Sequence, residues 1–142
     1  MTNKGIRPFH LAFPIYNIDE TKAWYVKYLG CKIGREASKW VDFNFFGHQI
    51  SAHLIDKKEN ELSENNVDGK KIPVRHFGVI LDWTDWEILA KKLNHFKINF
   101  IIHPYIRFKG EAGEQATMFI KDPSDNILEF KSFKNNESIF SK

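Results

Sequence analysis

A chain of 142 residues with one cysteine, two methionines and five prolines has little with which to staple or interrupt itself. The lone cysteine, Cys31, cannot form an internal disulfide, which excludes a disulfide scaffold and fits a reducing compartment. It falls just after an expected helix end and reads as structural. Apolar runs are short of a membrane span. The opening "MTNKGIRPFHLAF" has neither a secretory apolar segment nor a small-residue cleavage site. A cytoplasmic protein with no membrane partner is therefore expected. Charge of one sign is scarce too. The formal net charge is +3, the lysines are scattered, and there is no basic block or nucleic-acid motif, so no nucleic-acid partner is expected.

Against these absences stand ordinary globular proportions, 42% hydrophobic and 27% charged, and an enrichment in aromatics at 15%, with thirteen phenylalanines. Such a chain can build a large core or an aromatic pocket. Its length fits one compact domain or two small fused units.

The second reading has support in a repeat. "FHLAFPIYNIDE" (Phe9 to Glu20) and "RHFGVILDWTDWE" (Arg75 to Glu87) both read as a strand running into a helix start. With the strand period of two, Phe9, Leu11, Phe13 and Ile15 share one face, and Phe77, Val79 and Leu81 share the matching one. The opposite faces carry His10, Ala12 and Pro14, and His76, Gly78 and Ile80. Asn17-x-x-Glu20 and Thr84-x-x-Glu87 have capping-box form. The first helix carries Trp24, Tyr25, Tyr28 and Leu29 and stops at Gly30. The second carries Trp86, Leu89, Ala90, Leu93 and Phe96 on one stripe. Each helix needs an apolar surface, and the bulky strand faces provide it.

Short strands follow, near Cys31 to Glu36 and near Phe100 to Pro104. Hairpins come next, "KWVDFNFFGHQISAHLI" (Lys39 to Ile55), turning near Gly47, and "ATMFIKDPSDNILEFKSF" (Ala116 to Phe133), turning at Asp122 to Asn126. Laying one hairpin on the other aligns "AHL" with "LEF", so that His53 matches Glu129. The strand histidines lie 66 residues apart and the cap glutamates 67, whereas His53 and Glu129 lie 76 apart. A longer second-half loop, "RFKGEAGEQ" (Arg107 to Gln115), accounts for the excess, and Gly110 and Gly113 suit it to a mobile lid. The expected fold class is α+β: two tandem βαβββ modules forming a curved mixed sheet around a central metal cavity, with helices outside. Module 1 spans about 7–55, a polar linker 56–71, module 2 about 72–133, and a tail 134–142, the whole of 7–133 counting as one domain.

Alternation places His10, His76 and Glu129 on the inner faces, and His53 beside them. Two imidazoles and one carboxylate make the facial triad that suits non-haem Fe(II) and leaves positions open for substrate and oxygen; the same donors also take Mn, Zn or Ni. Tyr105 and Arg107 are weaker candidates, for orienting a phenolic or anionic substrate. Blander roles suit most such residues singly. A strand histidine is commonly a hydrogen-bonded rim residue, and Arg107 and Lys109 serve equally to solvate a loop. His48 falls in a turn, His95 at a helix C-terminus where the dipole favours it, and His103 before Pro104. Trp24 and Trp86 read as core.

The segments "FHLAFPIYNIDETKAWYVKYLGCKIGRE", "VRHFGVILDW" and "MFIKDPSDNILEFKSF" together resemble the vicinal oxygen chelate superfamily of glyoxalases, extradiol dioxygenases and bleomycin-resistance proteins. The resemblance covers most of positions 7 to 133. "WVDFNFFGHQISAHL" and "RFKGEAGEQATMF" add a narrower likeness to small extradiol dioxygenase-type proteins. The resemblance implies metal ligands at His10, His76 and Glu129, and an Fe(II)-dependent ring cleavage of a catechol-like aromatic diol by dioxygen. It also implies pairing into a homodimer, sometimes with sites completed across the interface. Glyoxalases draw a fourth ligand from the last strand of the first unit, where this chain shows His53. Two roles are open to His53, a fourth ligand or an acid/base that removes and returns a substrate proton, and the second is preferred. The alternatives in function are a glyoxalase-type metal-dependent isomerase or lyase, and a metal-free small-molecule binding or resistance protein.

Overall fold

Strand alternation, an Asn17 cap and a Gly30 stop determine much of how this chain folds locally. The structure is a computed structural model and describes residues 5–57 and 64–142. The chain divides into two compact units, Met1–Asn60 and Glu61–Lys142.

The first unit runs β1 (His10–Ile15), α1 (Ile18–Leu29), β2 (Lys32–Ala37), β3 (Trp40–Phe45) and β4 (His48–Leu54). Its sheet has the order β1-β4-β3-β2. β1 lies parallel to β4, and the other pairs are antiparallel. Phe13 and Ile15 are buried, whereas His10 and Ala12 on the other face are exposed. Asn17 caps α1 by accepting the Glu20 N–H at 2.8 Å. Gly30 ends the helix at φ 67°, a conformation that glycine adopts without the Cβ clash other residues meet. The helix buries Thr21, Tyr25 and Leu29. Tyr25 stacks on Phe43 at 5.0 Å and meets Phe13 at 5.8 Å. Cys31 is buried and free.

In the second unit the hairpin β5 (Glu64–Val67) and β6 (Lys70–Pro73) comes first. β7 (Phe77–Ile80), α2 (Trp83–His95), β8 (Phe100–Arg107), β9 (Gln115–Lys121) and β10 (Ile127–Phe133) follow, with a short 3-10 helix at Asn136–Phe140. The main sheet has the order β7-β10-β9-β8, with β7 parallel to β10. Trp86, Leu89 and Leu93 of α2 are buried. Trp86 anchors the helix to the sheet by donating its indole N–H to the Phe130 carbonyl at 2.8 Å. Buried Asp122 organises the β9–β10 turn, accepting the N–H groups of Ser124 and Asn126 at 2.8 and 2.9 Å. Both units are thus βαβββ modules with mixed sheets, an α+β fold. No helix among the described residues is long and apolar enough to cross a membrane.

Three expectations change. The second helix begins two residues before the capping box drawn from the sequence. Its N-cap is Asp82, whose carbonyl accepts the Trp86 N–H at 2.9 Å, and Thr84 already lies inside the helix. The segment read as a polar linker contains the β5–β6 hairpin; residues 58–63 of that segment lie outside the described residues. Third, His53 does not match Glu129. Glu129 pairs with Gly78, two residues after His76, and Ser51 pairs with Ala12, two residues after His10. The residue matching Glu129 is therefore Ser51, and His53 matches Lys131. A slip of two residues leaves every side chain on its expected face, so alternation cannot detect it.

Candidate metal centre

In the second unit the parallel pairing of β7 with β10 places His76, just ahead of β7, beside Glu129 on β10. Their closest approach is His76 Nε2 to Glu129 Oε2, 3.1 Å, with side chains 27% and 15% exposed. Pairing this tight needs Gly78. A Cβ added there would lie 1.5 Å from the Glu129 carbonyl oxygen. His76 Nδ1 lies 2.7 Å from the Pro73 carbonyl at the end of β6. A carbonyl only accepts, so Nδ1 carries the proton and Nε2 is the nitrogen turned to Glu129. Thr117 on β9 donates its hydroxyl to Glu129 Oε1 at 2.9 Å. The imidazole also meets the edge of Phe119, with ring centres 5.2 Å apart. A small cavity of about 170 Å³ opens beside His76, Gly78 and Glu129.

These contacts set the charges. The Glu129 hydrogen bond raises the His76 pKa above its ordinary value, with desolvation opposing and the Pro73 carbonyl assisting. Burial pushes the Glu129 carboxyl up, but hydrogen bonds from His76 and Thr117 outweigh it and hold the group below the usual range. Both shifts favour the charged forms, imidazolium and carboxylate. A divalent cation would compete with the proton shared between Nε2 and Oε2, 3.1 Å apart.

In the first unit His10 is exposed, and its Nδ1 lies 2.9 Å from Gln49 Oε1. The amide oxygen only accepts, so Nδ1–H donates and Nε2 again holds the lone pair. Both strand histidines are thus locked by a neighbouring oxygen in the tautomer that leaves Nε2 for a metal, the outer-sphere arrangement of metal-binding histidines. Within either unit, among the described residues, no three His, Cys, Asp or Glu side chains gather. The second unit supplies two of the expected donors and the first unit one.

The face of β1, β4 and β3 that carries His10 is polar. It bears Gln49, Ser51, Asp42 and Asn44. A cavity of about 550 Å³ is lined by His10, Arg35, Asp42, Asn44, His48 and Gln49. His48 has a structural bond, its Nδ1 accepting the Phe9 N–H at 2.8 Å where β1 begins. His53 is exposed, opposite Trp40 and Pro14, and does not line this cavity. The corresponding face of the second unit is apolar, with Ile72 of β6 seated among Ile102, Phe119 and Ile127.

Tyr105 and Arg107 are occupied elsewhere. Asp68, at the β5–β6 turn, accepts the Tyr105 hydroxyl at 3.1 Å and lies 2.6 Å from Arg107 Nε. Lys70 stands 4.5 Å over the Tyr105 ring. Burial raises the Asp68 carboxyl, and Tyr105 and Arg107 together bring it below its ordinary value. The trio fastens the hairpin to β8. Asp68 was missed in the sequence although "DG" is a strong turn signal, because the runs on either side carry little apolar pattern. Asp68 and Gly69 take the positive φ values, 53° and 73°, that such a turn requires. Asp42 and Thr117 were missed as well; alternation along "WVDFNF" and "ATMF" sets them on site-bearing strands without saying what they touch. His95 packs on Phe96 in the last turn of α2, and His103 on Phe100. The Arg107–Gln115 loop is bonded to itself, Glu111 N–H to Phe108 O at 2.9 Å and Gly110 N–H to Glu114 Oε1 at 3.0 Å.

Comparison with known proteins identifies the family and the fold. A model of the glyoxalase/bleomycin resistance protein/dioxygenase superfamily matches residues 7–130. A glyoxalase/bleomycin resistance protein/dioxygenase from Alicyclobacillus acidocaldarius is 34% identical, with a TM-score of 0.78 over 94% of this chain and 96% of that one. Two more distant structures share the fold. One is a variant of the fosfomycin resistance protein FosX of Listeria monocytogenes, complexed with Mn(II) and a dihydroxypropylphosphonic acid (13% identity, TM-score 0.66, all of both chains). The other is lactoylglutathione lyase from Agrobacterium tumefaciens (13%, 0.63, all of both chains). No curated protein matches in sequence.

Proposed function

Because this chain belongs to the glyoxalase/bleomycin resistance protein/dioxygenase superfamily, we propose that it is a divalent-metal-dependent enzyme acting on a small molecule, with His10, His76 and Glu129 as protein ligands. One domain over 7–133 would contribute donors from both modules, and pairing into a homodimer is part of this reading. The observation that carries it is the His76–Glu129 pair, its outer oxygens and nitrogens already held by Pro73 and Thr117. A bound divalent cation would supply Lewis acidity, binding two adjacent oxygens and making their protons easier to lose.

The finer reading is an extradiol-type cleavage of a catechol-like aromatic diol by dioxygen, with Fe(II) as the cation. Two observations support it. His76 and Glu129 already lie side by side, and with His10 they would make two histidines and one carboxylate, a set that suits non-haem Fe(II). The first-unit position matching Glu129 is Ser51 rather than a fourth strong ligand, which leaves room for substrate and oxygen. In this chain Glu129 and the two Nε2 atoms bind, Thr117, Pro73 and Gln49 orient them, and the apolar face around Phe119 and Ile102 excludes water. The second reading is a glyoxalase-type isomerase or lyase using Mn, Zn or Ni. The polar wall of Asp42, Asn44 and Gln49 favours it, because a plain catechol has few groups to satisfy such a wall.

Anaerobic purification with metal analysis, followed by oxygen uptake over a catechol panel, separates these readings. Wild type is expected to bind Fe(II), and His10→Ala, His76→Ala and Glu129→Ala each to lose it. Iron-loaded protein that consumes no oxygen with any diol removes the dioxygenase reading. Wild type with no affinity for any divalent ion removes both.

A further inference from the structure

The cavity of the first unit contains a carboxylate for which the ligand set has no use. Asp42 lies on β3, its side chain only 7% exposed, yet it lines the same cavity of about 550 Å³ as His10. A carboxylate buried this deeply is costly unless it is paired. Its Oδ1 accepts the hydroxyl of Ser51, directly across on β4. Its Oδ2 has no hydrogen bond among the described residues. The nearest cation is Arg35 Nε at 3.7 Å, on a side chain 82% exposed. One oxygen is thus fixed by Ser51, and the other meets the exposed Arg35 guanidinium at 3.7 Å and accepts no hydrogen bond among the described residues, so the carboxylate keeps capacity to accept a proton.

Donors flank it. Asn44 spends its side-chain oxygen on the Gly47 N–H at 2.8 Å, and Gln49 spends its own on His10 at 2.9 Å. Their amide N–H groups remain for a ligand. The charged and titratable residues that line this cavity with Asp42 are Arg35 from β2, His10 from β1 and His48 from β4.

We propose that Asp42 is a catalytic residue, the proton acceptor for a hydroxyl of the substrate, in the role that the sequence suggests for His53. This deepens the metal-dependent reading above and rests on it. The substrate O–H bond breaks, the proton passes to Asp42 Oδ2, and the electron pair stays on the substrate oxygen. Asp42 becomes a neutral acid still hydrogen-bonded to Ser51, and it returns the proton later in the cycle. No oxidant or further reactant enters the step. The substrate carries at least one ionisable hydroxyl, with a neighbouring acceptor for the amides of Asn44 and Gln49.

The test uses the full chain loaded with Zn(II), which is colourless and redox-silent, and p-nitrocatechol, whose visible spectrum reports its ionisation. Zn(II) titration comes first, then the catechol spectrum followed after mixing with wild type, Asp42→Asn, Asp42→Ser and His53→Gln. Asp42→Asn keeps the shape and the Ser51 bond, and Asp42→Ser serves if the first does not fold. Both are expected to bind Zn(II) as wild type does and to slow the appearance of the ionised-catechol band after mixing at least about tenfold. His53→Gln is expected to leave that rate unchanged. Equal rates in wild type and in both Asp42 variants overturn the proposal while the metal reading stands. If wild type binds no Zn(II), the metal reading fails. The same mixing experiment on metal-free protein then decides, and a wild type that ionises p-nitrocatechol no faster than the Asp42 variants overturns this proposal as well.

Discussion

At the scale of single residues, the His76–Glu129 pair has consequences that are measurable without a substrate. The raised pKa of His76 means that its contribution to stability is full below its ordinary value of about 6.5 and is lost as pH rises through the folded value. Glu129 is depressed, so its contribution is present above its ordinary value of about 4.5 and lost as pH falls through the lower folded value. Metal-free protein should therefore be most stable between these limits. Thermal melts in chelator, followed from acid to alkaline pH, should show a maximum there, and His76→Gln should remove the decline on the alkaline side. Thr117→Val deletes the hydroxyl on Glu129 Oε1 without touching a ligand, and metal affinity measured by calorimetry should fall about tenfold or more. The candidate ligands follow from residue type, strand face and repeat spacing. Thr117, Pro73 and Gln49 do not, because an outer-sphere partner is chosen by cross-strand register, which leaves no mark in composition.

At the scale of elements, Gly78 shows how a strand pair sets a site. Its close approach to the Glu129 carbonyl leaves no room for a side chain. Gly78→Ala must push β7 from β10, at a cost of about 1–3 kcal/mol or more. A lowered melting temperature together with weakened metal binding would report both effects. The β5–β6 hairpin is a second case. Asp68 ties it to Tyr105 and Arg107, and Ile72 seats it among apolar neighbours. Asp68→Ala should speed amide hydrogen exchange in 64–73 and leave α1 unaffected; equal exchange in wild type and variant would show that the trio holds nothing. The major elements were legible because each has a local cause, as with the Asn17 cap, the Gly30 stop and the alternation of β1. The hairpin was read as linker because "ENNV" and "KKIP" carry too little apolar pattern. The start of α2 was misplaced because Asp82 and Thr84 are both acceptable caps and only backbone hydrogen bonding selects one.

At the scale of the whole molecule, the two modules repeat one topology with different surfaces. The first carries a hydrogen-bonding sheet face, with His10, Asp42, Asn44 and Gln49. The second carries a mainly apolar one, with Ile72, Ile102 and Phe119, beside the His76–Glu129 pair. A cation that binds the folded chain alone stabilises it by mass action, about 2.7 kcal/mol at a free concentration one hundred times the dissociation constant. Calorimetric scans with Fe(II), Mn(II) or Zn(II) should therefore show a melting temperature that rises with metal concentration, and no rise for Glu129→Gln.

The sequence by itself determined the duplication, the α+β class, the two helices on the bulky strand faces, and the identity of His10, His76 and Glu129 as residues of special interest. All of these follow from periodicity and residue chemistry, which are local. Only the tertiary structure decided that Ser51 rather than His53 stands opposite Ala12, that Asp68 takes Tyr105 and Arg107, and that Asp42 takes Ser51. These depend on register between strands distant in the chain. A shift of two residues changes every partner while leaving every face the same.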